Sequence, residues 1–192
     1  MLSILIPTVT ERKESFAKLM TEITLQISQG NHWQDVEVIF DNTQRGKATT
    51  GEKRNFLLLR ANKKYTWFVD DDDMILPGAI PAILQAAQTD CDTMAVNGFM
   101  TTDGGNRKDW YIALGNPYSA QWNEGKEIYL RYPNHITPMK REIAATIEFP
   151  AQNNFEDKVW ADKLKDSALL KTETKIEIPI YHYQYSSTNK LY

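Results

Sequence analysis

The chain has 192 residues and a mass of 22.1 kDa, enough for one well-filled domain. Apolar residues make up 42% and charged residues 24%, ordinary globular values that exclude a disordered, collagen-like or fibrous chain. With 22 Lys plus Arg against 25 Asp plus Glu, the net charge is −3, so no strong basic field holds nucleic acid by charge alone.

The chain opens with Leu2–Ile6, an apolar run stopped by Pro7, which suits a buried strand. No positive leader precedes it, so no signal peptide is predicted. Phe16, Leu19, Met20, Ile23 and Ile27 follow helical spacing, predicting an amphipathic helix over Arg12–Ser28 that Gly30-Asn31 ends. Val36–Phe40 reads as a second strand, ending at Asp41-Asn42. A polar stretch, Thr43–Thr50, leads to a second helix over Gly51–Ala61 with Thr50 as its N-cap. Tyr65–Val69 is a third strand that runs straight into Asp70-Asp71-Asp72-Asp73.

Strand, helix, strand, helix, strand is the pattern of a parallel α/β sheet. In such sheets the ligand crevice lies beyond the carboxyl ends of the strands. That rule brings Pro7-Thr8, Asp41-Asn42 and Asp70–Asp73 to one edge. Beyond them, Ile80–Ala87 reads as a helix, followed by the single cysteine, Cys91. One cysteine excludes an intrachain disulfide framework and suits a reducing compartment. Thr93–Asn97 is a strand, and residues 101–126 read as loops and short strands. Glu127–Tyr132 is a strand, Lys140–Ile147 and Glu156–Leu169 are helices, Ile176–Tyr183 is a last strand, and Ser186–Tyr192 is a polar tail or flap. No linker, repeat or apolar run of membrane-spanning length interrupts this order. The expectation is a soluble, cytoplasmic single domain over residues 1–192, without membrane insertion or an evident obligate protein partner.

Four adjacent carboxylates repel one another, so Asp70–Asp73 call for a cation, with Mg²⁺ or Mn²⁺ favoured by hard oxygen ligands. The bland alternative is a solvated acidic turn capping the next helix. Arg54, flanked by Lys53 and Asn55, is suited to neutralise a metal-bound diphosphate bidentately, or else belongs to an exposed Lys-Arg pair. Asp41 can read a nucleobase or ribose hydroxyl, or form an Asx turn with Asn42. Glu156-Asp157 opens a helix, where a carboxylate is held ionised and suits a general base; acidic helix starts are also common without function. His182 is a candidate metal ligand or diphosphate donor, and His135 a candidate acceptor contact; each is otherwise a packed residue. Trp110, Tyr111, Tyr118 and Trp122 either stack on an acceptor or fill the core.

Taken in order, Ser3-Ile4-Leu5-Ile6-Pro7-Thr8, Val36–Asn42, Gly51-Glu52-Lys53-Arg54-Asn55 and Phe68–Asp73 resemble the nucleotide-sugar-dependent glycosyltransferases of the GT-A fold, family 2 type. Phe155-Glu156-Asp157 and Pro179–Tyr183 extend the likeness. The resemblance implies an α/β, three-layer α/β/α domain with a mostly parallel central sheet. Residues 1–100 would form the nucleotide-sugar half and 101–192 the acceptor half. It implies an inverting, metal-dependent transfer from a nucleoside-diphosphate sugar, UDP-sugar favoured, to an acceptor hydroxyl. Pro7, Thr8, Arg12, Asp41, Lys53, Arg54, Asp70 and Asp71 would bind the donor. Asp72 and His182 would hold Mn²⁺ or Mg²⁺, and Asp157 with Glu156 would be catalytic. Asp70-x-Asp72 matches the Asp-x-Asp signature, with Asp71 an alternative by one residue.

The acceptor expected from this is a glycan, a protein, a lipid-linked sugar, or a hydroxymethylated DNA base if the enzyme is virus-encoded and works in host cytoplasm. For the DNA reading, Lys47, Lys53, Arg54, Lys63 and Lys64 would supply a basic edge. A nucleotidyltransferase of the same fold is disfavoured because the Pro7–Arg12 loop has no glycine. A non-catalytic, metal-dependent sugar-binding protein is the rival from another class.

Overall fold

The computed structural model of the protein describes residues 1–123 and 125–188; residues 189–192 of the expected tail lie outside them. The elements in chain order are β1 (Leu2–Pro7), α1 (Lys13–Gln29), β2 (Val36–Asp41), α2 (Thr50–Arg60), β3 (Tyr65–Phe68), β4 (Met74–Ile75), α3 (Ala79–Ala86), β5 (Thr93–Thr102), β6 (Gly105–Ile112), β7 (Ser119–Asn123), β8 (Lys126–Arg131), β9 (Met139–Lys140), α4 (Arg141–Ala144), α5 (Glu156–Ser167) and β10 (Glu173–Tyr185).

One sheet takes in all these strands, in the order β2-β1-β3-β9-β5-β6-β8-β7, with β10 against β5 and β4. It is mixed. β2, β1 and β3 are parallel, as are β5 with β10 and β6 with β8; the other pairings are antiparallel. The three-layer arrangement follows from the side-chain period of two along β1. Leu2, Ile4 and Ile6 face Leu19, Ile23 and Ile27 of α1 and Ile80 and Ile83 of α3. Leu5 faces the other way, with Phe68, and meets Leu57, Trp160 and Leu164 of α2 and α5. Both faces are therefore apolar, which is why β1 reads as a continuous hydrophobic run.

Parallel register brings the strand ends level. Pro7 pairs with Asp41, and Leu5 with Phe68. The Thr8 amide donates to the Asp41 carbonyl at 2.8 Å. The convergence of the three polar clusters at the carboxyl edge is thus a direct result of β1–β3 pairing.

Several boundaries differ from the sequence expectation, each for a local reason. Thr49, not Thr50, caps α2, through a capping box in which the Thr49 hydroxyl accepts from the Glu52 amide and Glu52 accepts from the Thr49 amide. Residues 101–126 are largely strand. Asp103 and Gly104, at φ 50° and 76°, form the tight turn of a β5–β6 hairpin, for which Asp-Gly is the standard signal. The helix expected over Lys140–Ile147 shrinks to Arg141–Ala144. It ends early because the Thr146 amide turns back to the Ile143 carbonyl at 3.1 Å instead of continuing the helical ladder.

Gly51, in the first turn of α2, sits against the segment leading to α5. A Cβ there would lie 1.8 Å from the Pro150 carbonyl oxygen, and the Gly51 amide donates to the Gln152 carbonyl at 3.1 Å. Gly51→Ala is therefore expected to destabilise the fold by about 1–3 kcal/mol through overpacking, read as a lower urea midpoint at unchanged slope. An unchanged midpoint would mean that the 150–153 segment yields freely.

Candidate active site

A cavity of about 630 Å³ opens at the carboxyl edge of the sheet, walled by the Pro7–Arg12 loop, the loop before α2, Asp70–Asp73, residues 131–136 and the start of α5. Each of the four aspartates has a partner, and Asp71 and Asp72 share one, which relieves their repulsion. Asp70 accepts from Arg54 Nη2 at 2.8 Å and faces His135 Nε2 at 3.3 Å. Asp71 accepts from the Thr8 hydroxyl at 2.7 Å and from Arg12 Nη1 at 2.8 Å. Asp72 shares the same Arg12 nitrogen at 3.0 Å. Asp73 accepts from the Tyr181 hydroxyl and the Gln184 amide, both at 2.7 Å.

Burial then alternates. Asp71 and Asp73 are 1% and 2% exposed, whereas the Asp70 and Asp72 side chains are 23% and 34% exposed. Asp70 and Asp72 are thus the pair with the greater opening to the cavity. Burial opposes the charge on Asp70, but Arg54 and then His135 outweigh it and hold its pKa well below the usual carboxylate range. Burial, with Asp70 and Asp71 nearby, pushes the Asp72 pKa up to about 6 in spite of Arg12. Burial, then Asp70 and Asp72, puts the Asp73 pKa well above its ordinary value.

Among the described residues no three His, Cys, Asp or Glu side chains form a cluster that could cage a metal ion. A magnesium-type ion needs no such cage, because one or two carboxylates plus substrate phosphates suffice. Asp72 fits that need. It opens to the cavity, and its raised pKa marks a carboxylate whose charge is under-compensated.

The other predicted residues fall into three groups. Pro7, Thr8, Arg12 and Asp157 line the cavity, Asp157 with its side chain 41% exposed. Lys53 and Arg54 are buried. Lys53 Nζ donates to the Thr8 and Thr43 carbonyls, both at 2.6 Å, and burial lowers its pKa. Arg54 is 3% exposed, with Nε on Glu156 at 3.3 Å. Burial works against its charge, but Asp70, Glu156 and Asp157 outweigh it and raise its pKa. Arg54 therefore braces Asp70 and Glu156 while lining the cavity, with Nη1 left without a hydrogen-bond partner, and the alternative of an exposed Lys-Arg pair does not hold. Burial raises the Glu156 pKa against the pull of Arg54.

Asp41 and His182 stand apart from the cluster. One Asp41 oxygen accepts from the Thr43 amide at 2.7 Å, the Asx-turn alternative. His182 lies on the other side of β10, where its Nε2 pairs with the Thr101 hydroxyl at 2.8 Å and its ring packs 4.3 Å from Phe99. Strand alternation gives the site-facing positions to Tyr181 and Tyr183 instead. Burial, then Arg107, lowers the His182 pKa.

Of the aromatics, Trp110 is buried against Tyr181, and Trp122 lines a separate groove with Asn97 and Pro179. Tyr118 sits at the rim of the main cavity, 72% exposed, with the Arg131 guanidinium 3.8 Å from its ring centre. Four of the five residues of the expected basic edge are engaged elsewhere. Lys53 and Arg54 are buried, while Lys63 and Lys64 pair with the Gln34 carbonyl and Asp90 ahead of β3, away from its carboxyl end. Sequence reasoning missed Arg45, Arg131 and Phe155, which also line the cavity. Phe155 carried a signal only through its place before Glu156. Its backbone is left-handed at φ 61° while the side chain stays exposed, a strained setting of the kind found at functional sites.

The model of glycosyl transferase family 2 matches residues 20–147. Among curated proteins, no sequence matches. Solved structures of S. aureus TarS share the fold. TarS aligns over 95% of this chain and 36% of its own at 14% identity, with a TM-score of 0.57. TarS 1–349 in complex with UDP-GlcNAc aligns over 95% and 58% at 14% identity and TM-score 0.53. The complex with UDP gives 96% and 60%, 15% and 0.52. The chain thus spans between about a third and three-fifths of these neighbours' length. At this identity the likeness establishes the architecture, a GT-A α/β fold, and nothing finer.

Proposed function

Because the chain belongs to glycosyl transferase family 2, we propose that it transfers a sugar from a nucleoside-diphosphate sugar, a UDP-sugar by preference, to an acceptor hydroxyl with inversion. The observation that carries this reading is that Asp70, Asp72 and Asp157 line one cavity together with the Pro7–Arg12 loop. The UDP-GlcNAc and UDP complexes of TarS support the choice of donor.

In this reading the donor diphosphate lies along Thr8, Arg12 and Asp72, with the sugar toward Asp70. Asp72 would hold a divalent cation, Mg²⁺ or Mn²⁺, which when bound supplies positive charge for the leaving diphosphate. Arg12 adds charge from the protein side, and preorganised charge of this kind is often the largest catalytic contribution. Asp157 removes the acceptor proton as the acceptor oxygen bonds to the anomeric carbon from the face opposite the diphosphate. Arg54 keeps Asp70 ionised and in place. Residues 1–100 then serve the donor and 101–192 the acceptor. Loss of the basic edge weighs against a DNA acceptor and leaves a glycan or protein hydroxyl favoured. No helix among the described residues is long and apolar enough to cross a membrane.

A thermal-shift panel of nucleoside-diphosphate sugars with Mn²⁺ tests the proposal. A donor at about 100 times its Kd stabilises the fold by about 2.7 kcal/mol, and the shift is expected to shrink in Asp72→Asn. No shift with any donor and metal would overturn the transferase reading. A shift without donor hydrolysis or transfer would favour the non-catalytic sugar-binding alternative.

A further inference from the structure

His135 is buried between two carboxylates that the sequence separates by 87 positions, Asp70 and Asp157. Its Nε2 lies 3.3 Å from Asp70 Oδ2 and its Nδ1 lies 3.5 Å from Asp157 Oδ2. Nδ1 has no hydrogen-bond partner although it is shielded from water. A buried ring nitrogen left without a partner is costly and calls for a reason.

The ring is rigidly held. The Asn134 amide donates to the Thr137 hydroxyl at 3.1 Å, the Thr137 amide to the Asn134 carbonyl at 3.0 Å, and the Ile136 amide to Asn134 Oδ1 at 3.2 Å. Trp67 Nε1 donates to the Ile136 carbonyl at 2.9 Å and ties this turn to β3. The other charged groups around the ring are Glu156, beside Asp157 on α5, and Arg54 on α2, which is bonded to Asp70 and Glu156. Arg54, Asp70, His135 and the Glu156-Asp157 pair therefore form a closed circuit of contacts lining one cavity.

A neutral imidazole has one N–H and one lone pair. Nε2 makes a hydrogen bond, to a carboxylate oxygen of Asp70 that accepts, whereas Nδ1 makes none, so in the neutral ring the N–H belongs on Nε2 and the lone pair on Nδ1 faces Asp157. We propose that His135 is the positioning residue of the base, fixed by Asp70 and set to receive on Nδ1 the proton that Asp157 takes from the acceptor. This rests on the transferase reading above.

The balance is as follows. The acceptor O–H bond breaks and its proton binds Asp157. The acceptor oxygen bonds to the anomeric carbon, and the bond from that carbon to the diphosphate oxygen breaks, its electron pair leaving with the nucleoside diphosphate. The Asp157 O–H proton then passes to Nδ1. The carboxylate is restored, and the imidazolium lies between Asp70 and Asp157. Water takes the proton once the products leave.

Steady-state kinetics of wild type, His135→Ala, His135→Asn and Asp157→Asn, with and without free imidazole, test this. Removing the relay is expected to lower kcat by about 10²-fold with the donor KM unchanged within about twofold. Imidazole is expected to restore about tenfold to His135→Ala and nothing to Asp157→Asn, because only the former leaves a ring-sized gap beside an intact base. His135→Asn keeps a hydrogen-bonding amide beside Asp157 but has no basic nitrogen to take the proton, and is expected to stay as slow as His135→Ala. It also carries the test should the alanine variant unfold. Wild-type kcat in either His135 variant, while Asp157→Asn is inactive, would overturn the inference and leave the transferase reading standing. Equal turnover in Asp157→Asn and wild type would overturn that reading itself, and the inference with it.

Discussion

Asp157→Asn is expected to lower kcat for sugar transfer by about 10³-fold while the donor-induced thermal shift stays at its wild-type size. Asparagine keeps the size and polarity of the side chain but cannot accept a proton from the acceptor. Because the Asp157 side chain is 41% exposed and makes only a 3.5 Å approach to His135, its replacement leaves no buried group stranded. Melting temperature without donor should therefore be unchanged. Transfer by the variant within about threefold of wild type, at equal folding, would remove Asp157 from the chemistry and leave the neighbouring Glu156 as the base to test. Glu156 begins from a weaker position, since it is buried and committed to Arg54.

Arg54→Met is expected to have the largest effect on stability, about 3–5 kcal/mol, because it leaves the buried Glu156 and the partly buried Asp70 without their shared cation. The guanidinium is 3% exposed, bonds Asp70 at 2.8 Å and Glu156 at 3.3 Å, and packs 5.3 Å from the centre of the Phe68 ring. Urea denaturation reads the loss directly. Combining Arg54→Met with Glu156→Gln should cost less than the sum of the single changes, since neutralising one stranded carboxylate removes part of the penalty. A loss under about 1 kcal/mol in the single variant would show that solvent reaches Asp70 and Glu156 freely, and that Arg54 is a surface group after all.

These expectations rest on features of unequal visibility in the amino-acid order. The alternation of apolar strands and amphipathic helices over residues 1–100 is local, and the capping residues and Gly30 are local as well. The hairpin at Asp103-Gly104 was equally local. The glycines, prolines and aromatics around it read as loop and mask that signal. His182 shows a different failure. Its neighbours Tyr181 and Tyr183 are as compatible with the site as it is, and nothing in Tyr-His-Tyr says which parity faces inward. The position of β10 between β5 and β4 settled that.

The residue order by itself determined the parallel β1–β3 unit, the gathering of Pro7, Asp41 and Asp70–Asp73 at one edge, and the family. Side-chain period and short crossovers restrict such a chain to few arrangements. Packing alone decided which aspartates open to the cavity, that Arg54 is enclosed, and that His135 reaches both Asp70 and Asp157. Those relations join residues 16 to 102 positions apart. Each depends on where the 131–136 segment and α5 come to rest against β3 and α2. Burial of Trp67, Phe149 and Trp160 directs that placement, and the hydrophobic effect behind it carries no information about which polar atoms will meet at the rim.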